Sequence, residues 1–267
     1  MMPDALGWSF LMSQPIILLC NDDGYYARGH EKLREALSPL GRVISVAPDK
    51  DNSGVSHKVS IHTPLRLTEI SDDTWIVNGT PVDCVILGHH VVLKDQRPTL
   101  LISGINRGYN LGGDVTYSGT LGAAREGFNR GIPSMAISTA GNDGNFSYDH
   151  AAGVAARLAE LHLNGADFLH KALWNVNVPP VDVLKGIRLT RLDERSFQSS
   201  VVQRLDPRGE PYFWLDGFYP KEAESEDTDY GACLAGYVSM TPLEKRRINR
   251  AVLDEYQLSD LFKNLEI

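Results

Sequence analysis

The chain predicts an α/β protein: a mostly parallel sheet flanked by helices. Three observations predict it. Short apolar runs alternate with segments of helical spacing through most of the sequence. Several of these runs are apolar without a break, as strands covered on both faces are. Each run then stops abruptly at small, polar or acidic residues, where a parallel sheet presents its ligand-binding loops.

The elements follow in order. Ile16-Ile17-Leu18-Leu19-Cys20 is a continuous apolar run and reads as a buried strand, broken by Asn21-Asp22-Asp23-Gly24. Leu33, Ala36, Leu37 and Leu40 recur at helical spacing, with Pro39 disturbing the last turn. Val43–Ala47 is a second strand, stopped by Pro48. Thr74–Val77 reads as a strand. Thr80-Pro81-Val82-Asp83 then reads as a helix start, with Thr as N-cap, Pro in the first helical position and Asp three residues after the cap. Val82, Val85, Ile86 and Leu93 supply the apolar face. Thr99–Ile102 is a further strand, followed by a polar loop holding Ser103, Gly104 and Asn106. Thr120–Asn129 is a helix ended by Gly131, and Ile132–Ser138 the next strand. Asp149 is expected to cap a helix carrying Val154, Leu158 and Leu161. Leu173–Val178, Ile187–Leu192 and Tyr237–Thr241 read as strands. A hairpin turn is expected at Asp206-Pro207-Arg208-Gly209, an acidic solvated loop over Glu222–Asp229, and a closing helix over Glu255–Leu265.

Bulk properties narrow the function. The 267 residues allow one large α/β domain or two small ones, and 42% hydrophobic content is ordinary for a globular chain. A net charge of -8 argues against a broad nucleic-acid surface. Cys20, Cys84 and Cys233 form no C-x-x-C and cannot all pair, which fits a reducing compartment and opposes a disulfide scaffold or zinc ribbon. The apolar run Leu6–Met12 is too short for a membrane span and has no basic residue before it. Residues 1–13 therefore read as an N-terminal extension to the fold, and the expected location is the cytoplasm.

The chemistry is expected where the post-strand loops converge. Asn21, Asp22 and Asp23 follow the first strand, Asp49, Asp51, Asn52, Ser53 and Gly54 the second, and Ser103, Gly104, Asn106 and Asn110 the Thr99–Ile102 strand. Adjacent carboxylates with a Ser hydroxyl and an Asn amide oxygen suit a hard divalent cation. The competing reading is that Asp22 or Asp23 caps the next helix or closes an Asx turn. Tyr117-Ser118-Gly119-Thr120 opens a helix whose free N–H groups can hold an anion, or is an ordinary N-cap. No P-loop motif and no zinc-type histidine pattern is present. His89 and His90 read as structural, Cys20 as a buried small hydrophobe, and His57 as either a substrate contact or a strand-surface residue.

Asn21-Asp22-Asp23-Gly24, Ala47-Pro48-Asp49 with Asn52-Ser53-Gly54, Gly79–Cys84, Ser103–Asn110 and Tyr117–Thr120 together resemble the SurE family, the stationary-phase survival proteins that act as nucleotidases. Trp174–Pro179 and Gly236–Leu243 match too, so the resemblance runs from about residue 14 through nearly the whole chain. It implies a Rossmann-like fold and a metal-dependent phosphatase acting on nucleoside 5′- and 3′-monophosphates, sometimes with exopolyphosphatase activity. One divalent cation per subunit, Mg²⁺ or Mn²⁺, is implied on Asp22, Asp23, Ser53 and Asn106, with the two aspartates as the catalytic pair. Asn110, Ser118, Gly119 and Thr120 match the phosphate side. A core over 14–195 and a C-terminal portion over 196–267, exchanged between subunits of a homodimer or homotetramer, complete what the resemblance implies, with no stable nucleic-acid complex and no membrane association. The extension and Tyr25-Tyr26-Ala27-Arg28 depart from the family pattern, and the latter bear on substrate preference. Other mechanisms stay open from sequence: a covalent aspartyl-phosphate on either Asp, a non-catalytic nucleotide sensor, or an oligomer whose acidic loop contacts partners.

Overall fold

The structure, a computed structural model, describes residues 14–94, 96–141, 146, 148–194, 197–218 and 222–244. The N-terminal extension and the expected helix over Glu255–Leu265 lie outside the described residues.

The first half alternates as expected, with one added strand, β3: β1 (Ile16–Cys20), α1 (Arg28–Leu37), β2 (Arg42–Pro48), β3 (Leu67–Ser71), β4 (Thr74–Val77), α2 (Pro81–Leu87) and β5 (Leu100–Arg107). Then come α3 (Gly119–Asn129), β6 (Ser134–Thr139), α4 (Tyr148–Leu163), β7 (Leu173–Val178), β8 (Ile187–Leu189), β9 (Gln198–Leu205), β10 (Pro211–Phe218), α5 (Asp229–Leu234) and β11 (Val238–Leu243). Among the described residues nine strands form one sheet in the order β3-β4-β2-β1-β5-β6-β7-β11-β8. From β4 to β7 every neighbouring pair is parallel. β3 and β11 run antiparallel to β4 and β7. The remaining pair, β9 and β10, is a separate antiparallel hairpin closed at the expected turn.

Alternation along β1 builds both core layers. Ile17 and Leu19 point to one face, packed with Leu33 and Leu37 of α1 and Ala151, Ala155 and Leu158 of α4. Leu18 and Cys20 point to the other, with Val85 of α2 and Leu121 and Ala124 of α3. Each fully buried Leu or Ile contributes about 1.5–3 kcal/mol. All three cysteines are free and buried.

Several expectations need correction. The Thr99–Ile102 strand does not end in a loop: β5 continues through Ser103, Gly104 and Asn106 to Arg107. Its register against β6 shifts between Ser103 and Asn106. Gly104 makes this possible, because its φ is +140° and a Cβ there would lie 2.3 Å from the Ile137 carbonyl oxygen. Asp149 sits inside the first turn of α4, which begins a residue earlier at Tyr148. The buried stripe of α4 runs through Ala151, Ala155, Leu158, Ala159 and His162, so Leu161 faces outward. The strand expected to Leu192 stops at Leu189. The acidic stretch is not simply solvated: Arg191 pairs with Glu224 at 2.8 Å and Asp227 at 3.1 Å, and Asp229 is buried at the start of α5. His57 lies in no strand and meets Glu126 at 3.1 Å.

Candidate functional site

Chain direction reverses around β1. The crossover through α1 places β2 on one side of β1, while β5 lies on the other. A doubly wound sheet opens a crevice at such a switch point, outside the carboxyl ends of its strands. The loops after β1 and β2, the end of β5 and the start of α3 meet there.

The loop after β1 closes on itself through Asn21, whose Nδ2 donates to the Gly24 carbonyl at 2.8 Å. That turn, and not the aspartates, shapes the entry into α1. The α1 N-cap is Ala27, with no side-chain cap bond. Neither Asp22 nor Asp23 is therefore used as a helix cap.

Asp22 is 3% exposed, and the Thr120 hydroxyl donates to its Oδ1 at 2.5 Å. Burial pushes the Asp22 carboxyl up to about 7; the Thr120 hydrogen bond opposes this and the Asp23 charge adds to it. Its backbone carbonyl accepts from the Asn52 N–H at 2.8 Å, which ties the β2 loop to the β1 loop. Asp23 accepts at Oδ2 from the Arg107 backbone N–H at 3.0 Å. Burial raises its pKa too; the Arg107 N–H opposes the shift and Asp51 adds to it. Ser53 donates to Asp51 Oδ1 through both its N–H, at 2.7 Å, and its hydroxyl, at 2.6 Å. Asn106 donates through Nδ2 to the Gly108 carbonyl at 2.9 Å, which leaves its amide oxygen as the acceptor.

On the anion side, Ser118 is the N-cap of α3, its Oγ accepting from Leu121 N at 3.1 Å. The hydroxyl proton stays available for a ligand. Gly119 has no room for a side chain: a Cβ would lie 2.9 Å from Asp22. Asn110 is buried and held from three directions. Its N–H donates to Asn177 Oδ1 at 2.9 Å, its Nδ2 to Ser138 Oγ at 2.8 Å, and its carbonyl accepts from the Asn175 and Asn177 amides at 2.7 and 3.0 Å. Thr120 is fully buried with its hydroxyl engaged by Asp22, so its side chain faces the acid pair and not open space.

Two adjoining clefts hold these groups. One, about 620 Å³, is lined by Asp22, Ser53, Asn106, Asn110 and Ser118, with Leu215 of β10 reaching in. The other, about 930 Å³, is lined by Asp23, Asp51 and Ser53. Arg107 lines both. Among the described residues no three His, Cys, Asp or Glu side chains gather at a possible metal site, so any cation here relies on the two aspartates and neutral oxygens. Asn21 Oδ1, next in sequence to Asp22, is buried without a hydrogen-bond partner.

Sequence reasoning missed Arg107, Phe146 and Tyr148. Arg107 had a signal, as a cation directly after Asn106 among acid-rich loops. The two aromatics had none, because their approach to the cleft is set by the β6–α4 connection. Leu215 had none either, since it arrives on the hairpin from far along the chain.

Fold and site define a class: a doubly wound α/β protein with an oxygen-rich, paired-carboxylate site at its switch point. A family model described as survival protein SurE matches residues 17–199. The chain belongs to the SurE family. It is 42% identical over 242 residues to a protein of Aquifex aeolicus named 5′-nucleotidase SurE, covering 90% of this chain and 96% of that one. A relative of the same name from Geobacter sulfurreducens is 43% identical over 247 residues, covering 92% and 94%. The crystal structure of the SurE protein from Aquifex aeolicus superposes with a TM-score of 0.81 at 42% identity, covering 91% of this chain and 98% of that one.

Proposed function

We propose that this chain is a metal-dependent phosphomonoesterase that hydrolyses nucleoside 5′- and 3′-monophosphates to nucleoside and phosphate. The observation that carries it is the Asp22–Asp23 pair at the switch point, Asp22 buried and Asp23 half-buried, both pushed toward protonation by desolvation, beside an α3 start able to hold an anion. The relatives named 5′-nucleotidase support the same reading. Polyphosphate ends, which carry the same terminal phosphoryl group, fall within this chemistry.

The donor set fits one Mg²⁺ or Mn²⁺ per subunit: two carboxylates, the Ser53 hydroxyl and the Asn106 amide oxygen are all hard oxygens. Such a cation, when bound, lowers the pKa of a water and offsets phosphoryl charge. The chain supplies the positioning. Asp22, fixed by Thr120 at Oδ1, orients the attacking water and takes its proton at Oδ2. Asp23 is fixed by the Arg107 N–H. Asn110, Ser118 and the backbone N–H at Gly119 hold phosphate oxygens, while Thr120 acts through Asp22, to which its hydroxyl and its backbone N–H both donate.

The reading extends to a core over 14–195 and a C-terminal portion over 196–267 that joins subunits into a homodimer or homotetramer. It also extends to a cytoplasmic location, supported by three free, buried cysteines. Among the described residues no helix is long and apolar enough to cross a membrane.

The test is phosphate release from a panel of nucleoside monophosphates with Mg²⁺ or Mn²⁺ and with a chelator. The expected result is metal-dependent release that Asp22→Asn and Asp23→Ala each lower by about 10²–10³-fold while both variants stay folded. Folded wild type that binds nucleotide and metal but releases no phosphate overturns the enzyme reading in favour of a sensor.

A further inference from the structure

The cleft on the Asp23 side has a composition that phosphate chemistry does not account for. Besides Asp23, Asp51 and Ser53 it is lined by Tyr26, Phe146 and Tyr148. Phe146 and Tyr148 lie nearly parallel, with ring centroids 5.9 Å apart and planes 15° apart. The Arg107 guanidinium stands over the Phe146 ring at 5.3 Å. Tyr26, in the loop between β1 and α1, is 82% exposed and so contributes little to the core. Three aromatic side chains thus share a slot with two carboxylates, next to the cleft that holds Asn110 and Ser118.

We propose that this slot is the base subsite, in which Tyr26, Phe146 and Tyr148 stack on the purine of a nucleoside monophosphate. The inference rests on the nucleotidase reading and adds to it the part of the substrate that the acid pair cannot recognise. Stacking tolerates any base, but it grows with the overlapping ring area, so purines gain more than pyrimidines. The Arg107 cation, already over Phe146, adds an attraction for an extended π-system. Because Ser53 and Arg107 line both clefts, one substrate can place its phosphate at Asn110 and Ser118 and its base in the aromatic slot.

The test compares AMP with glycerol phosphate, a phosphomonoester without a base, on wild type, Tyr26→Ala and Phe146→Leu. The leucine keeps apolar bulk and removes the π-face, and Tyr26 is too exposed for its loss to unfold the chain. The expected result is that each variant lowers the ratio of kcat/KM for AMP over glycerol phosphate about tenfold, through KM for AMP. Wild type is expected to favour AMP over CMP. An unchanged ratio in both variants, or a wild-type preference for CMP, overturns the proposal. Calorimetric binding of AMP separates this from the enzyme reading. If wild type releases no phosphate yet binds AMP, and Phe146→Leu weakens binding about tenfold, the subsite stands and the nucleotidase reading falls. If AMP binds equally to both, or to neither, the subsite falls.

Discussion

Thr120 carries a different role from the one its place in the Tyr117–Thr120 motif implies. Its hydroxyl is spent on Asp22 Oδ1 at 2.5 Å, inside the protein. Thr120→Val keeps the shape and removes that donor. Leaving a buried acceptor short of a partner costs about 1–3 kcal/mol, reduced here by the Thr120 backbone N–H, which also bonds Asp22. The expected kinetic result is a roughly tenfold fall in kcat with KM for nucleotide little changed. A rise in KM at constant kcat indicates that Thr120 meets the phosphate directly. His30 supplies a second prediction. It is 1% exposed, with Nε2 against Ser45 Oγ at 2.7 Å. Burial, with the Arg34 charge adding to it, lowers its pKa from 6.5 to about 4. Below pH 6.5 the unfolded chain takes up a proton that the folded chain refuses. Stability is therefore lost as pH falls from 6.5 toward 4, at most about 1.4 kcal/mol per pH unit. Replacing the imidazole removes this term. Urea unfolding of wild type and His30→Gln at pH 7 and pH 5 should show the wild-type advantage shrinking by about 2 kcal/mol at the lower pH. An advantage independent of pH contradicts a neutral buried imidazole.

Among the elements, the start of α2 shows what local sequence can determine. Thr80 Oγ1 accepts from Asp83 N at 3.2 Å and Asp83 Oδ2 accepts from Thr80 N at 2.9 Å, a capping box read directly from Thr-Pro-Val-Asp. The same pair does more than cap. Asp83 Oδ1 accepts from Ser60 N at 3.0 Å and Thr80 Oγ1 donates to the Lys58 carbonyl at 2.7 Å, so the box anchors the long β2 loop that carries Ser53. Asp83→Ala strands both N–H groups and is expected to cost about 2–3 kcal/mol, with faster amide exchange at Ser60. Unchanged exchange there means that the loop is held by other contacts. The box was legible because all its parts lie within four residues. The far half of β5 was not, because Ser103 and Asn106 look like loop until Gly104 and the neighbouring Ile137 are seen to admit a shifted strand. β3, with an almost wholly exposed pattern, and the short α5, opening inside an acidic stretch, carried no periodic signal. The candidate site was more legible than either. Asp22, Ser53, Asn106, Asn110 and Ser118 share one cleft because a parallel sheet delivers the ends of its strands to one edge. Residues that reach the cleft from elsewhere in space, such as Phe146 and Leu215, could not be read from spacing.

Across the whole molecule, the least settled part is the β9–β10 hairpin. Among the described residues it forms a two-stranded sheet of its own, separate from the nine-stranded one. Along β10, Phe213 and Leu215 face one side and Tyr212, Trp214 and Phe218 the other, and all five are exposed, Leu215 by 82%. A two-stranded ribbon is marginal in water, and one with apolar side chains on both faces calls for a cover. A second copy of this chain supplies that cover in the proposed homo-oligomer, and the same ribbon brings Leu215 to the cleft that holds Asp22. Assembly and activity are then coupled through one element. Trp214→Glu with Phe218→Glu places charge on the face away from Leu215. Each aromatic buried at an interface is worth about 1.5–3 kcal/mol, so the pair should weaken self-association by about 10²-fold or more. Light scattering at micromolar concentration is expected to show wild type as an oligomer and the double variant as a monomer. KM for nucleotide should rise as the ribbon loses its fixed place beside the cleft. A monomeric wild type, or a double variant that assembles as well as wild type, removes the hairpin from the interface and leaves its apolar faces to some other partner.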